Sequence, residues 1–359
     1  MLRRKAHLMG KVLDTDVILI PAVDDLQCSF YRLPLTRAHI EPNTSRGAFA
    51  EDQLEIAFIR ATGEPYYQYG SQAAEIAAKK LGVKMIVYTS NLDPAQELAN
   101  VQDAISRGVD GILIYAVSLS SERAAVDAAN KAGVPIFFQY GYHPDLLPKS
   151  AGFMQIDLKG FARPLGEWMA ENIPSGKIAI IEGTLGRGDA EAYTEGFLEG
   201  LAKNPNLQVV AKVSAEWNRQ KAYEAATNII TAHPDIVGMF VQNEDMAVGV
   251  VNALERLGKL EQVKIVSQNG APYGLDLIRE GKLQLTNANP PSIASVMALR
   301  ILLGVIKGEI EPGHFYWAPT QLISKENLNV AYRWDASEEE IEEWLKLPLP
   351  EPVIPPPSS

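Results

Sequence analysis

The chain has 359 residues, a formal net charge of -11, 47% apolar residues and 21% charged residues. That leaves room for two domains with sizeable cores, and it argues against a nucleic-acid partner, because phosphate binding needs clustered Lys and Arg. A single cysteine, Cys28, excludes an intrachain disulfide and any metal site built on several thiolates. No stretch approaches the roughly 18 consecutive apolar residues of a membrane span.

The amino terminus opens with a basic run, Met1 to Lys5, as an export signal does. Asp14 and Asp16 then interrupt the segment, and the apolar run from Val17 to Val23 is short. Cys28 follows Asp25-Leu26-Gln27, a poor match to a lipoprotein cleavage site, so no convincing signal peptide is read. Residues 1–52 lack a repeated strand–helix pattern and form an extension to which no structure is assigned.

From residue 54 onward strands alternate with helices. The apolar run Leu54 to Ile59 predicts a strand, followed by a turn at Gly63 and Pro65 and a helix from Gln72 to Leu81 that stops at Gly82. Lys84 to Tyr88 is the next strand. Asp93 caps a helix with Pro94 at its first position, where the missing N–H costs nothing, and Leu98, Val101 and Ile105 share one face. Gly111 to Tyr115 reads as a buried strand, Ser120 or Ser121 opens an alanine-rich helix ending at Gly133, and Pro135 to Phe138 is a fourth strand. The second half repeats the rhythm with strands at Lys177–Ile181, Leu207–Val213, Ile236–Val241, Val263–Val266 and Leu283–Thr286. Its helices are expected at Glu191–Leu201, Lys221–Ala232 and Asn243–Leu257, the last with a stripe of Met246, Val250, Leu254 and Leu257. Continuous apolar strands joined by helices imply parallel sheets covered on both faces. The fold class is therefore α/β, two similar doubly wound lobes whose ligands bind outside the carboxyl ends of the strands. Near the carboxyl terminus, Ser337-Glu338-Glu339-Glu340 reads as a capping box for a helix carrying Ile341, Trp344 and Leu345. Residues 348–359 hold five prolines beyond Pro348 and read as an extended or disordered tail.

Catalytic and cofactor motifs are not found. His7, His39, His143, His233 and His314 make no H-E-x-x-H, and there is no Gly-x-Ser-x-Gly elbow. His143 lies near a strand end, within reach of a cleft. Gly183-Thr184-Leu185-Gly186-Arg187-Gly188 has its close-approach glycine misplaced for a dinucleotide loop and lacks the Lys-Ser/Thr of a P-loop, so it reads as a tight turn whose N–H groups can attract polar oxygens. Glu244 and Asp245 suit the first turn of a helix, where the dipole favours acids. No cofactor or metal is expected, and nothing specifies a reaction.

The segments Ala73 to Val83, Asp93 to Gln96, Gly108 to Ile114 and Ala132 to Pro135 resemble the amino-terminal lobe of the type 1 periplasmic substrate-binding proteins of ABC importers, in their sugar-binding branch. Thr231 to Asp235, Gln242 to Gly249, Gly281 to Leu283 and Leu303 to Gly308 are similar to the family's second lobe. The resemblance covers roughly residues 54–330 and implies three crossings between lobes, near residues 156, 289 and 319. It implies a first lobe of 54–156 plus 290–319, a second of 157–289 plus 320–334, and a carboxyl-terminal helix and tail over 335–359. It further implies a monomeric, extracytoplasmic receptor that closes on a small ligand and presents the closed form to permease subunits. Shared cores also occur in sensory receptors and transcriptional regulators; residues 1–52 show no helix-turn-helix for the latter.

Carried over residue by residue, the resemblance assigns an aromatic pair to Tyr66 and Tyr67, with Glu64 as a polar contact beside Pro65. It assigns an aromatic wall to Trp217 and amide contacts to Asn243, Asn269 and the hinge residue Asn289. Two departures stand out. Tyr140-Gly141 occupies positions that commonly hold Asp-Arg, and Glu191 to Tyr193 replaces an arginine of the second lobe. Tyr140 and Glu191 thus join the candidate contacts in a cleft with fewer charges and more amides and phenols. Bidentate clamps on adjacent hydroxyls are weakened, which favours a polyol, a modified sugar or another small neutral ligand over an ordinary aldohexose.

Overall fold

The computed structural model describes residues 53–186 and 188–355. The expectations for residues 1–52, including Cys28 and the export signal, and for Arg187 and residues 356–359 lie outside the described residues.

Helix α1 (Pro65–Lys80) follows strand β1 (Glu55–Arg60) after four residues, with Pro65 at its first position. It therefore starts seven residues before the Gln72 expected from the sequence. Proline pre-sets a helical φ there, so the Gly63–Pro65 punctuation marks a helix start and places Tyr66 and Tyr67 in the first turn. The first half continues with β2 (Lys84–Thr89), α2 (Pro94–Arg107), β3 (Gly111–Ile114), α3 (Leu119–Ala132), β4 (Ile136–Gln139) and β5 (Gly152–Gln155). Ser118, not Ser120 or Ser121, caps α3, with Ser121 bonding back in a capping box.

The second half comprises α4 (Leu158–Asn172), β6 (Gly176–Glu182), α5 (Asp189–Leu201), β7 (Leu207–Ser214), α6 (Arg219–Ala232), β8 (Ile236–Val241), α7 (Glu244–Arg256), β9 (Lys264–Asn269), α8 (Pro272–Arg279) and β10 (Leu285–Ala288). Then come α9 (Pro291–Ile306), β11 (His314–Trp317), β12 (Gln321–Ile323), α10 (Glu338–Trp344) and β13 (Pro352–Val353).

Two sheets result, ordered β13-β11-β5-β4-β3-β1-β2 and β12-β10-β9-β8-β6-β7. Each contains the same doubly wound series, in which the strand order reverses beside the first strand, between β1 and β3 in one and β6 and β8 in the other. The sheets are parallel except at one edge each, where β13 runs antiparallel to β11 and β12 antiparallel to β10. The all-parallel expectation is corrected there. Each of these last strands lies at a sheet edge and is short, so it needs no βα crossover and can pair in either direction.

Among the described residues, three apolar clusters form the core. One lies under α2 and α3, with Ile112, Ile114 and Phe138; one lies under α6, α7 and α8, with Ile181, Met239 and Ile265. The third runs from Phe58, Leu113 and Phe137 of the first sheet to Ile178, Ile180 and Phe240 of the second. Helices α4 and α5 cross so closely that a Cβ on Gly196 would sit 2.1 Å from the Lys159 carbonyl oxygen. Only glycine permits that approach.

The chain passes from the first sheet to the second between β5 and α4, back between β10 and α9, and out again between β11 and β12. After β12 it returns once more. Helix α10 packs against α1 and α9, and β13 joins the first sheet. The proline-rich segment is thus, over residues 352–353, a short paired strand.

Candidate ligand-binding site

A phenolic cluster forms where the carboxyl ends of the first sheet meet the crossings. Tyr66 and Tyr140 hydroxyls lie 2.6 Å apart, and Tyr140 donates to Asn289 Oδ1 at 2.6 Å. One phenol has one proton, so Tyr66 is the donor to Tyr140. The Tyr140 ring stacks on Tyr115 at 5.8 Å, and Tyr67 meets Tyr115 edge-on at 5.2 Å. Tyr115 is 1% exposed and its hydroxyl lies 3.3 Å from Ser295 Oγ. Burial, then neighbouring phenols, push Tyr66 and Tyr115 well above the ordinary tyrosine range. Tyr140 is raised as well, by burial first, and Tyr193 of α5 acts on it from the second half of the fold. The cluster is neutral throughout the physiological range.

Asn269, at the end of β9, holds φ +104, and its carbonyl accepts from both Asn289 N–H at 3.1 Å and Trp334 Nε1 at 2.9 Å. The Trp334 indole meets Tyr66 edge-on at 5.2 Å. Tyr66, Tyr67, Tyr140, Asn269 and Asn289 are therefore brought together by direct contacts and Trp334.

The remaining candidates stand apart from these contacts. Glu64 is exposed at the N-cap of α1 and makes no capping bond with its side chain. Glu191 accepts from Gly186 N–H at 2.6 Å and Gly188 N–H at 3.1 Å, and these bonds hold its carboxyl below the usual range. The turn's N–H groups at those two glycines, expected to attract a ligand, are engaged by that carboxylate. Trp217, after β7, has φ +60, and its indole lies against Gly183, where a Cβ would come within 2.0 Å of the ring. Asn243 caps α7, its Oδ1 accepting from Met246 N–H at 2.8 Å. Among the described residues no ring contact links Trp217 to the tyrosine cluster.

Three site residues, Tyr140, Trp217 and Asn269, adopt positive φ at strand ends. Non-glycine residues in that region cost of order 1–3 kcal/mol and persist where the surrounding structure holds them.

Other expectations resolve differently. Glu244 is 1% exposed; its Oε1 accepts from Gly270 N–H at 2.6 Å and from the Thr286 hydroxyl, and burial raises it to about 7. It ties α7 to the β9–α8 turn, which a dipole role alone did not foresee. Asp245 pairs with Arg219. His143 pairs at 3.7 Å with Asp145, which also binds Arg123. Gln242 is wholly buried, bonding Gly183 N–H, Ala190 carbonyl and Thr194. Tyr115, Tyr193, Ser295 and Trp334 were not singled out as contacts in the sequence. A phenol closing the apolar run of β3 was the available signal for Tyr115; Trp334 carried none. Among the described residues no group of three or more His, Cys, Asp or Glu could hold a metal, and no helix is long and apolar enough to cross a membrane.

The periplasmic binding protein domain family matches residues 56–310. The chain is 30% identical over 273 residues to the ribose import binding protein RbsB of Salmonella typhimurium, covering 75% of this chain and 90% of that protein. Its fold is similar to an ABC transporter periplasmic solute binding protein from Actinobacillus succinogenes with bound D-allose, at TM-score 0.71 and 26% identity, covering 78% of this chain and 100% of that one. It is also similar to an ABC transporter solute binding protein from Bacillus halodurans with bound myo-inositol, at TM-score 0.67 and 25% identity, covering 77% and 96%. With the profile spanning well over half its length and two doubly wound sheets joined by repeated crossings, the chain belongs to the periplasmic binding protein family.

Proposed function

We propose that this protein is a solute-binding receptor of an ABC importer, which captures a small neutral carbohydrate-like ligand between its two lobes by hinge closure. The carrying observation is the hydrogen-bonded series Tyr66–Tyr140–Asn289, a neutral phenol–amide site at the junction of a sheet end and a crossing. Aromatic faces cover the C–H faces of a ring or polyol, while phenols and amides both donate to and accept from its hydroxyls. Relatives that hold D-allose and myo-inositol, and a ribose import binding protein, support the ligand class.

The lobes are 54–156 plus 290–319 and 157–289 plus 320–334, with Tyr66, Tyr67, Tyr140 and Glu64 on the first side. Trp217, Asn243, Asn269 and Glu191 stand on the second, and Asn289 at the hinge. Glu191 acts there by holding the β6–α5 turn. The receptor works as an extracytoplasmic monomer and presents its closed form to the permease subunits. Without a carboxylate–arginine pair at Tyr140-Gly141, polyols and modified sugars are favoured over ordinary aldoses.

Isothermal calorimetry against D-ribose, D-glucose, D-allose, xylitol and myo-inositol tests this. Binding of a polyol in preference to glucose, ribose and allose is the expected result. Tight binding of glucose or ribose with no polyol response would overturn the ligand class, and silence across the panel would overturn the carbohydrate reading.

A further inference from the structure

Residues beyond the 56–310 family match form a strap that returns to the first sheet side of the molecule. Its attachments there are numerous. Ser292 Oγ donates to the Arg333 carbonyl, Arg300 donates to the Trp344 and Leu347 carbonyls at 3.2 and 2.8 Å, and Lys80 pairs with Glu342 at 2.9 Å. Strand β13 then pairs with β11. Trp334 begins this strap. It is 6% exposed, and its ring packs edge-on against Tyr66 at 5.2 Å and Tyr69 at 6.3 Å, both on α1. Its indole N–H points elsewhere, to the Asn269 carbonyl of the second sheet.

One side chain therefore belongs to the first half through its ring and to the second through its N–H. The acceptor is the carbonyl that also takes the Asn289 N–H at 3.1 Å. Two segments that pass between the sheets thus converge on one oxygen, at a residue held in a strained conformation. A displacement of one half against the other acts on this side chain, because its ring and its N–H are held by different halves. A cavity of about 180 Å³ beside Trp334, lined by Tyr69, Gln72, Ala73 and Ile76, leaves the ring space to move on the α1 side when the bond is released.

We infer that Trp334 is a positioning residue of the cleft: it orients Tyr66 from behind and, through its bond to Asn269, biases the receptor toward the closed arrangement. Its ligand consequence rests on the receptor reading above; its effect on closure does not. The change to test is Trp334→Phe, which keeps a ring against Tyr66 and removes the N–H. A hydrogen bond of this kind contributes about 1 kcal/mol net, or about fivefold in a two-state population.

The experiment measures distances between spin labels at Gln96→Cys and Gln220→Cys, exposed residues in the first turns of α2 and α6, in a Cys28→Ser background. In ligand-free protein, Trp334→Phe is expected to lower the closed-to-open ratio about fivefold, while Trp168→Phe, the same change in α4, leaves it unaltered. Coincident distributions for Trp334→Phe and its parent, or an equal shift in Trp168→Phe, would overturn the inference. Calorimetry with D-allose, xylitol and myo-inositol is the second arm, with Kd expected to rise, by up to about fivefold, for whichever binds. If the parent binds none of them while the distances shift, the carbohydrate reading fails and the role of Trp334 stands.

Discussion

The Tyr140 hydroxyl donates to Asn289 Oδ1 at 2.6 Å, joining the end of β4 to the segment that carries the chain back to the first sheet. Asn289 is only 4% exposed, so removing the donor leaves a buried acceptor short of a partner. Tyr140→Phe should cost about 1–3 kcal/mol by urea unfolding. Asn289→Leu removes the acceptor and leaves Tyr140 its contact with Tyr66. The double variant should then be less destabilised than the sum of the two by at least about 0.5 kcal/mol. Additivity would mean that the bond contributes nothing to the hinge.

Asn269 holds φ +104, and its carbonyl accepts from Trp334 Nε1 and Asn289 N–H. Glycine accepts that backbone without strain, although it gains entropy in the unfolded chain. Asn269→Gly should be within about 1 kcal/mol of the parent in stability, on either side of it. If its amide faces the ligand, affinity for a bound polyol or sugar should nevertheless fall at least about tenfold. Calorimetry beside thermal melts separates the two effects. A loss of stability well beyond that range with affinity intact would assign Asn269 to the scaffold.

The Glu97 and Glu122 side chains lie 0% and 1% exposed in the first turns of α2 and α3, and one oxygen of each has no partner among the described residues. Burial first, then the Glu97 charge, raises Glu122 to about 8. A carboxyl that holds its proton in the folded state stabilises the fold at acidic pH. That stability is full below the ordinary value of 4.5 and is lost as pH climbs through about 8. Glu122→Gln should flatten the decline between pH 5 and pH 8 by up to about 1.4 kcal/mol per pH unit. Burial raises Glu244 in the same direction, to about 7, so a residual slope remains. Urea unfolding at several pH values checks this, and parallel profiles for variant and parent would refute it.

Much of the architecture was legible because it rests on local signals. Asp93-Pro94, the glycines after α2 and α3, and the apolar runs of β1, β3 and β8 state their own geometry. What escaped depends on partners distant in sequence. Helix α9 is apolar nearly all round because it lies between α1 and the first sheet, so it shows no amphipathic period. Strands β11 and β12 are three or four residues long and pair across more than thirty residues of chain. The family pattern singles out the tyrosine pair Tyr66 and Tyr67 as neighbours in sequence. Trp334 was not legible, since its place depends on a strap outside that pattern, and the bonds of Glu191 to Gly186 and Gly188 follow from the turn's shape, which sequence position does not show.

Gly183 lets the Trp217 indole lie flat against the end of β6. Its N–H donates to Gln242 at 2.8 Å and its carbonyl accepts from Ser214 at 2.6 Å, so the backbone is fixed while the space above it is filled by the ring. A Cβ at this position would fall 2.0 to 2.3 Å from three indole carbons. Gly183→Ala therefore displaces Trp217 while leaving every polar group of the turn in place. Overpacking of this kind costs about 1–3 kcal/mol, and the tryptophan emission should shift. If the indole forms the second wall of the cleft, affinity falls at least about tenfold, comparable to Trp217→Ala. Combining Gly183→Ala with Trp217→Leu should recover stability, since the clash is relieved, without recovering affinity. Unchanged binding with a displaced indole would leave the ligand held by the Tyr66–Tyr140–Asn289 side alone, because nothing else in the turn has moved.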